Sequence, residues 1–226
     1  MTARPVELAV IACLAFIGVA SAILWLATVS ASWPAVLLER AVTLKEKIPP
    51  ASLLSVWEKS RSLDTALLPG PHLHLPGMVG QQLLEGAALS GEHRAEVLQA
   101  AEQATRSALL REPAAPRAWA RLAWFQQLRQ GSPYGILDAV RMSAFLAPSD
   151  RGLVFWRLTT AGAYRPYWDA DFETMMRRQV LLAWRIKPSR LAAVAKATHL
   201  HEWVRSILDA DPEARTRFDQ ELAKML

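Results

Sequence analysis

Residues 107–148 read SALLREPAAPRAWARLAWFQQLRQGSPYGILDAVRMSAFLAP. Two apolar-periodic segments are separated by Gly131-Ser132-Pro133 and closed by prolines at both ends. That is the pattern of two helices joined by a tight turn. The stretch also begins to repeat itself. At a spacing of 36, Ser107-Ala108 falls on Ser143-Ala144, Trp119 on Phe155, and Arg121-Leu122 on Arg157-Leu158. Four segment ends share one form: Ala108-Leu109 before Pro113, Ala144-Phe145 before Pro148, Ala183-Trp184 before Pro188, and Ser206-Ile207 before Pro212. A small residue admits a neighbouring helix, a large apolar one fills the gap, and the proline ends the helix and starts the next turn. Sustained period-two alternation is lacking, so the expected fold class is all-α. Self-similarity at this length is the mark of a repeat array.

The run Trp119-Ala120-Arg121-Leu122-Ala123-Trp124-Phe125 resembles the first helix of a tetratricopeptide repeat, with Leu three positions after Trp and a small residue next. The second helix, from Tyr134 to Leu146, closes with the family's small-large-x-x-Pro pattern in altered spacing. The likeness covers residues 92–163 and, more loosely, 170–226. The period is 36 rather than about 34, and Ala123 stands where the family expects glycine. The resemblance implies stacked helix pairs that share an elongated core and offer a concave face to a protein segment. It makes Trp119, Leu122, Ala144 and Pro148 the residues that define the repeat fold.

Working outward to the N-terminus, no charged side chain occurs from Leu8 to Leu38. Residues 8–28 are apolar enough and long enough for one transmembrane helix, with Trp25 and Trp33 near its far end. Val29-Ser30-Ala31 has the small-residue form of a signal cleavage site, but the apolar core is longer than a cleaved signal needs, so an uncleaved anchor is expected. Arg4 and the terminal amine precede the run, and Arg40, Lys45 and Lys47 follow it about a dozen residues on. The expected topology is single-pass in a bacterial inner membrane, with the C-terminal domain periplasmic; this rests on similarity to bacterial signal-anchor proteins of the same layout.

The expected organisation is a tail and anchor over 1–31, membrane-proximal helices and a Pro/Gly-rich linker over 32–90, and a repeat-like helical domain over 91–226. Within the middle part, helices are expected over 35–47, 51–68 and 78–89. Pro69 to Gly77 reads as a loop by its Pro/Gly density. The last segment, from Pro212, is rich in charge and reads as a capping helix with Leu222, Met225 and Leu226 facing inward.

The formal charge is +5, with no block of five or more like charges, which argues against a nucleic-acid arm. The single cysteine, Cys13, lies in the apolar run, so neither a disulfide nor a thiolate metal site is expected. His72-Leu73-His74 and His199-Leu200-His201 have two candidate ligands each, the second pair on a helix, where i and i+2 point apart. A metal site needs three or four ligands, so none is expected. Asp169-Ala170-Asp171 has the form of a glycosyltransferase Asp-x-Asp but lacks the strand context that motif needs. One of its carboxylates is expected to cap the following helix. His201-Glu202 is followed by Arg205 where a zincin would need histidine. Glu85 and Glu202 are the only residues to be named as a general acid, and neither has supporting context.

The chain has nine tryptophans. Seven of them, at 57, 119, 124, 156, 168, 184 and 203, follow the apolar run, mostly at core-like helical spacing. Tyr164-Arg165-Pro166-Tyr167-Trp168 differs, because it falls between helices and sets an arginine among three aromatics. Aromatic and Arg side chains dominate recognition hot spots, so Tyr164, Arg165, Tyr167 and Trp168 are the candidate partner-contact residues. The functional expectation is a membrane-anchored scaffold that binds protein partners in a bacterial envelope assembly, such as polysaccharide synthesis or export, without catalytic residue, cofactor or metal. The alternative is a membrane-bound glycan-processing enzyme on an α-superhelical fold.

Overall fold

The computed structural model describes residues 49–62, 73–86 and 89–225, together with helical positions 16, 18, 19 and 21. Apart from those four positions, the anchor expected at 8–28 lies outside the described residues, as does the helix expected at 35–47. Among the described residues no helix is long and apolar enough to cross a membrane. All their regular elements are helical, so the described protein is all-α. The chain divides into two compact units, Met1–Gly91 and Glu92–Leu226.

In the first unit, α1 (Pro50–Ser62) and α2 (Leu75–Gly86) pack on each other. Leu53 and Trp57 of α1 are buried, as are Val79 and Leu83 of α2. The loop expected to reach Gly77 ends earlier, because α2 already starts at Leu75. Pro76 sits in the first helical turn, where its missing N–H has no intrahelical acceptor to lose, and Gly77 is buried there. The expected 78–89 helix therefore begins three residues sooner and ends at Gly86.

The second unit contains α3 (Gly91–Arg111), α4 (Pro116–Leu128), α5 (Pro133–Leu146), α6 (Val154–Gly162), a 3₁₀ turn (Arg165–Tyr167), α7 (Ala170–Ile186), α8 (Pro188–Ala197), α9 (His201–Leu208) and α10 (Pro212–Ala223). Proline opens α4, α5, α8 and α10, where its fixed φ suits the first turn. Pro188 and Pro212 thus begin helices directly, with no intervening turn of their own. Lys187 alone separates α7 from α8. Its N–H donates to Ala183 O, and its carbonyl accepts from Leu191 N at 3.1 Å. Asp169 caps α7, accepting from Phe172 N at 2.7 Å. Asp211 caps α10, accepting from Glu213 N and Ala214 N. His199 adopts φ 57° after α8 and His201 opens α9, so this pair flanks a turn and is not on one helix.

α4 packs on α5, α6 packs on both α7 and α8, and α8 packs on α10; α7 also meets α8, α5 meets α6, and α4 touches α6 more lightly. One core runs through them, from Ile136 and Val140 on α5 through Leu158 on α6 and Phe172 and Met176 on α7 to Phe218 on α10. Each fully buried apolar side chain of this size contributes about 1.5–3 kcal/mol. At the 36-residue register Leu122 and Leu158 are both buried, as are Ala108 and Ala144, whereas Ser107, Trp119 and Arg121 are half-buried and their counterparts Ser143, Phe155 and Arg157 are buried. Trp119 is half-buried and its Nε1 donates to Pro113 O at 2.8 Å. Pro148 is exposed, and its carbonyl accepts from Gln179 Nε2. At Gly162 the backbone of α6 approaches the turn after α8 closely. A Cβ there would lie 2.7 Å from Thr198 Cβ.

The tryptophans are less buried than expected. Trp57 is in the core, whereas Trp119, Trp124, Trp156, Trp168, Trp184 and Trp203 are half-buried. The fully enclosed aromatics are Phe125, Phe172 and Phe218. On α10, Ala214 and Phe218 face inward and Leu222 packs at the margin, as does Met225 just beyond the helix; Leu226 lies outside the described residues.

The core also encloses a charge. Arg157 on α6 is completely buried. Its Nη2 donates to Ser143 O at 2.7 Å and its Nη1 to Ala147 O at 2.9 Å and Gln179 Oε1 at 3.2 Å. Nε donates to the Ser143 hydroxyl. The guanidinium therefore occupies the C-terminal end of α5, where carbonyls are left open and the helix dipole favours a cation. Burial lowers its pKa, with the charge of Asp150 opposing.

Candidate functional site

The segment between α6 and α7 is held together mainly by its own contacts. The 3₁₀ turn at Arg165–Tyr167 brings the Arg165 guanidinium over Trp168 at 4.6 Å and Trp203 at 5.5 Å. Trp168 and Trp203 meet edge to face at 5.0 Å, and Trp168 Nε1 donates to Ala161 O. Glu173, one turn into α7, completes the cluster. It accepts from Trp203 Nε1 at 3.0 Å, Arg177 Nη2 at 2.9 Å and Arg165 Nη2 at 3.1 Å. Tyr164 is half-buried against the core, and burial raises its phenol pKa.

Tyr167 is different. It is exposed and packs edge to face on Tyr134 of α5 at 5.6 Å, and Tyr134 is itself exposed. Of the four residues singled out from the sequence, Arg165 and Trp168 are drawn into the inward-braced cluster and Tyr164 into the core margin, while Tyr167 faces out. The repeat-defining residues Trp119 and Leu122 lie on α4, whereas Ala144 and Pro148 lie at the end of α5, next to a surface groove.

That groove, about 650 Å³, runs between α5 and α7. Phe145 and Leu181 are its exposed apolar side chains, 76% and 42% accessible, and Met175 joins them. Arg141, Arg178 and Arg185 contribute the cations. Arg141 is paired with Asp169 and lies over Phe172. Among the described residues Arg178 and Arg185 make no ion pair. Sequence reasoning missed this site. Its signal was Arg178 and Arg185 seven apart on one helix with Leu181 and Leu182 between them, a spacing that places all four near one face.

The carboxylates near these residues are tuned toward the charged form. Glu173 lies below its ordinary value of 4.5, first through the Trp203 hydrogen bond and then through Arg177 and Arg165, with burial opposing. Asp169 is lowered by the Phe172 backbone N–H and by Arg141. A group with a depressed folded pKa stabilises the fold fully above its unfolded pKa and loses that contribution as pH falls through the folded value. Stability should therefore decline as pH drops below about 4.5. Glu173→Gln should flatten that decline relative to wild type in melts taken across the acid range. An unchanged acid slope in Glu173→Gln would remove this residue as its source.

Among the described residues no three His, Cys, Asp or Glu side chains are grouped to hold a metal ion. No family model matches the chain, and no curated protein or solved structure resembles it at a significant level.

Proposed function

We propose that the protein is a membrane-anchored, tetratricopeptide-like scaffold. Its 8–28 segment is the anchor, and its helical domain binds protein partners of a bacterial envelope assembly, in the synthesis or export of surface polysaccharide. The observation that carries this reading is the contact of α4 with α6 and of α6 with α8 along one core, which α4 joins through Ala123, an arrangement suited to displaying an extended surface. The exposed Tyr134–Tyr167 pair and the groove beside α5 give that surface contact chemistry.

The test is in vivo crosslinking of the tagged full-length protein, followed by purification in mild detergent and identification of what travels with it. Recovery of a defined set of envelope-synthesis or export proteins is the expected result. Recovery of the protein alone would overturn the scaffold reading. In parallel, protease treatment of spheroplasts should remove a C-terminal tag, and survival of the tag would reverse the proposed orientation.

A further inference from the structure

The groove between α5 and α7 has a direction and a charge, and the two together restrict what fits it. Arg141 reaches Asp169 and Phe172 at the start of α7, while Gln179, further along α7, donates to Pro148 O at the end of α5. The two helices therefore run the same way, and the trough follows their length. Tyr134, Arg141 and Phe145 lie along one side of α5, at intervals of seven and four residues. That stripe extends about 16 Å at 1.5 Å per residue, the length of roughly five residues of extended peptide. Its N-terminal end carries the exposed Tyr134–Tyr167 pair.

Phe145 is the most exposed large apolar side chain of α5. On α7, Leu181 and Met175 face the same trough, and Arg178 and Arg185 flank them one and two turns apart. Asp171 is the one acidic residue of the lining. With Arg141, Arg178 and Arg185 against it, the groove is net cationic. Two of those guanidiniums have no carboxylate partner among the described residues. Guanidinium groups present planar donor forks that match carboxylates. Apolar anchors set between them suit large side chains interleaved with acidic ones.

We propose that the α5/α7 groove is the docking site for an acidic segment of a partner protein, one that alternates Asp or Glu with Leu or Phe. Phe145 and Leu181 take its apolar side chains, and Arg178 and Arg185 take its carboxylates. This rests on the scaffold reading and specifies the partner's chemistry.

The test uses the full-length chain in mild detergent and a fluorescein-labelled peptide built from Glu, Leu and Phe, read by fluorescence anisotropy. A peptide with Lys at every Glu is the control. The acidic peptide should bind, weaken with added salt, and outcompete its Lys counterpart. Arg178→Glu with Arg185→Gln should weaken binding by about tenfold or more, as should Phe145→Ala with Leu181→Ala. These side chains are exposed and Arg178 and Arg185 are unpaired among the described residues, so circular dichroism and melting should match wild type. No binding of the acidic peptide, or binding unchanged in both variants, would overturn the proposal. Displacement of the peptide by a soluble short-chain phosphatidylglycerol at equal potency would do the same, since the site would then belong to a lipid headgroup. The crosslinking experiment, repeated with the arginine variant, separates this inference from the scaffold reading. Partners captured undiminished by the variant would end the groove proposal and leave the scaffold standing. No partner captured by either protein would end the scaffold reading whatever the peptide does.

Discussion

Arg157→Ala is expected to lower the unfolding free energy by about 3–5 kcal/mol, the largest effect of any single substitution considered for this chain. Two effects add. Removing the side chain opens a cavity in a core that encloses it completely. It also takes the guanidinium donors from Ala147 O and Gln179 Oε1, and one of two donors from Ser143 O, which keeps the Ala147 N–H. Each buried acceptor left open costs about 1–3 kcal/mol. For a chain of this size the corresponding fall in Tm is on the order of 10 °C. Arg157→Lys should recover only part of the loss. A compact ammonium keeps the charge near the C-terminus of α5 but cannot span acceptors that the planar fork now reaches together. Chemical denaturation of the two variants checks both statements. If Arg157→Ala melted within about a degree of wild type, water would have to be serving these carbonyls, and the account of this corner would fail.

The second large effect separates two adjacent aromatics. Trp168→Ala should cost about 2–3 kcal/mol, while Tyr167→Ala should cost less than about 1 kcal/mol. Trp168 supports three contacts at once: the edge-to-face meeting with Trp203, the stacking of Arg165, and the hydrogen bond from its Nε1 to Ala161 O. Without it, Arg165 keeps Glu173 but loses its nearer aromatic face. Among the described residues the Tyr167 ring has only its exposed partner Tyr134 to lose. Urea titrations of the two single variants give the comparison directly. Partner capture by Tyr167→Ala then reports on surface contact without a stability artefact, which Trp168→Ala cannot do. Equal destabilisation by the two would mean that Tyr167 is part of the same brace.

The helical architecture was legible because its punctuation is chemical. Pro116, Pro133, Pro188 and Pro212 restrict the chain wherever they fall, so boundaries near them could be placed from sequence. Their role was harder to read. A proline that ends one helix and one that opens the next look alike when a single residue separates the two, as Lys187 does. The cap at Asp169 was legible for a related reason, since an acidic residue just before an apolar-periodic run has a local task. Tryptophan burial was not legible from spacing alone. A large indole is easily placed on a core-facing stripe, yet the second-unit tryptophans end half-buried at the margins, with phenylalanines at the centre.

The contact site was partly legible. An arginine among aromatics is a sound cue for recognition, but the same composition also builds an internal brace. The choice between them was made by Trp203 and Glu173, which are distant in sequence from that turn or belong to the next helix. Arg157 carried a readable sign that was passed over. Its neighbours Val154, Leu158 and Ala161 stand three before, one after and four after, which puts it on the buried stripe of α6. The alignment with Arg121 marked the position without giving its burial, since arginine as a residue type is ordinarily exposed. The groove was hidden because it belongs to two helices separated by a third, and no single segment carries its pattern.

Lys187 has a mechanical consequence. Its N–H closes one helix and its carbonyl opens the next, so there is no free polypeptide between α7 and α8. Connectors of several residues act like a slack cable, taking up motion by rotating their own dihedrals. A one-residue joint held at both ends acts like a welded elbow. Any twist applied to α7 is handed on to α8 and then, through the packing of α8 against α10, toward the far end of the array. The two helices behave as the arms of a single bent lever, with Lys187 as its corner.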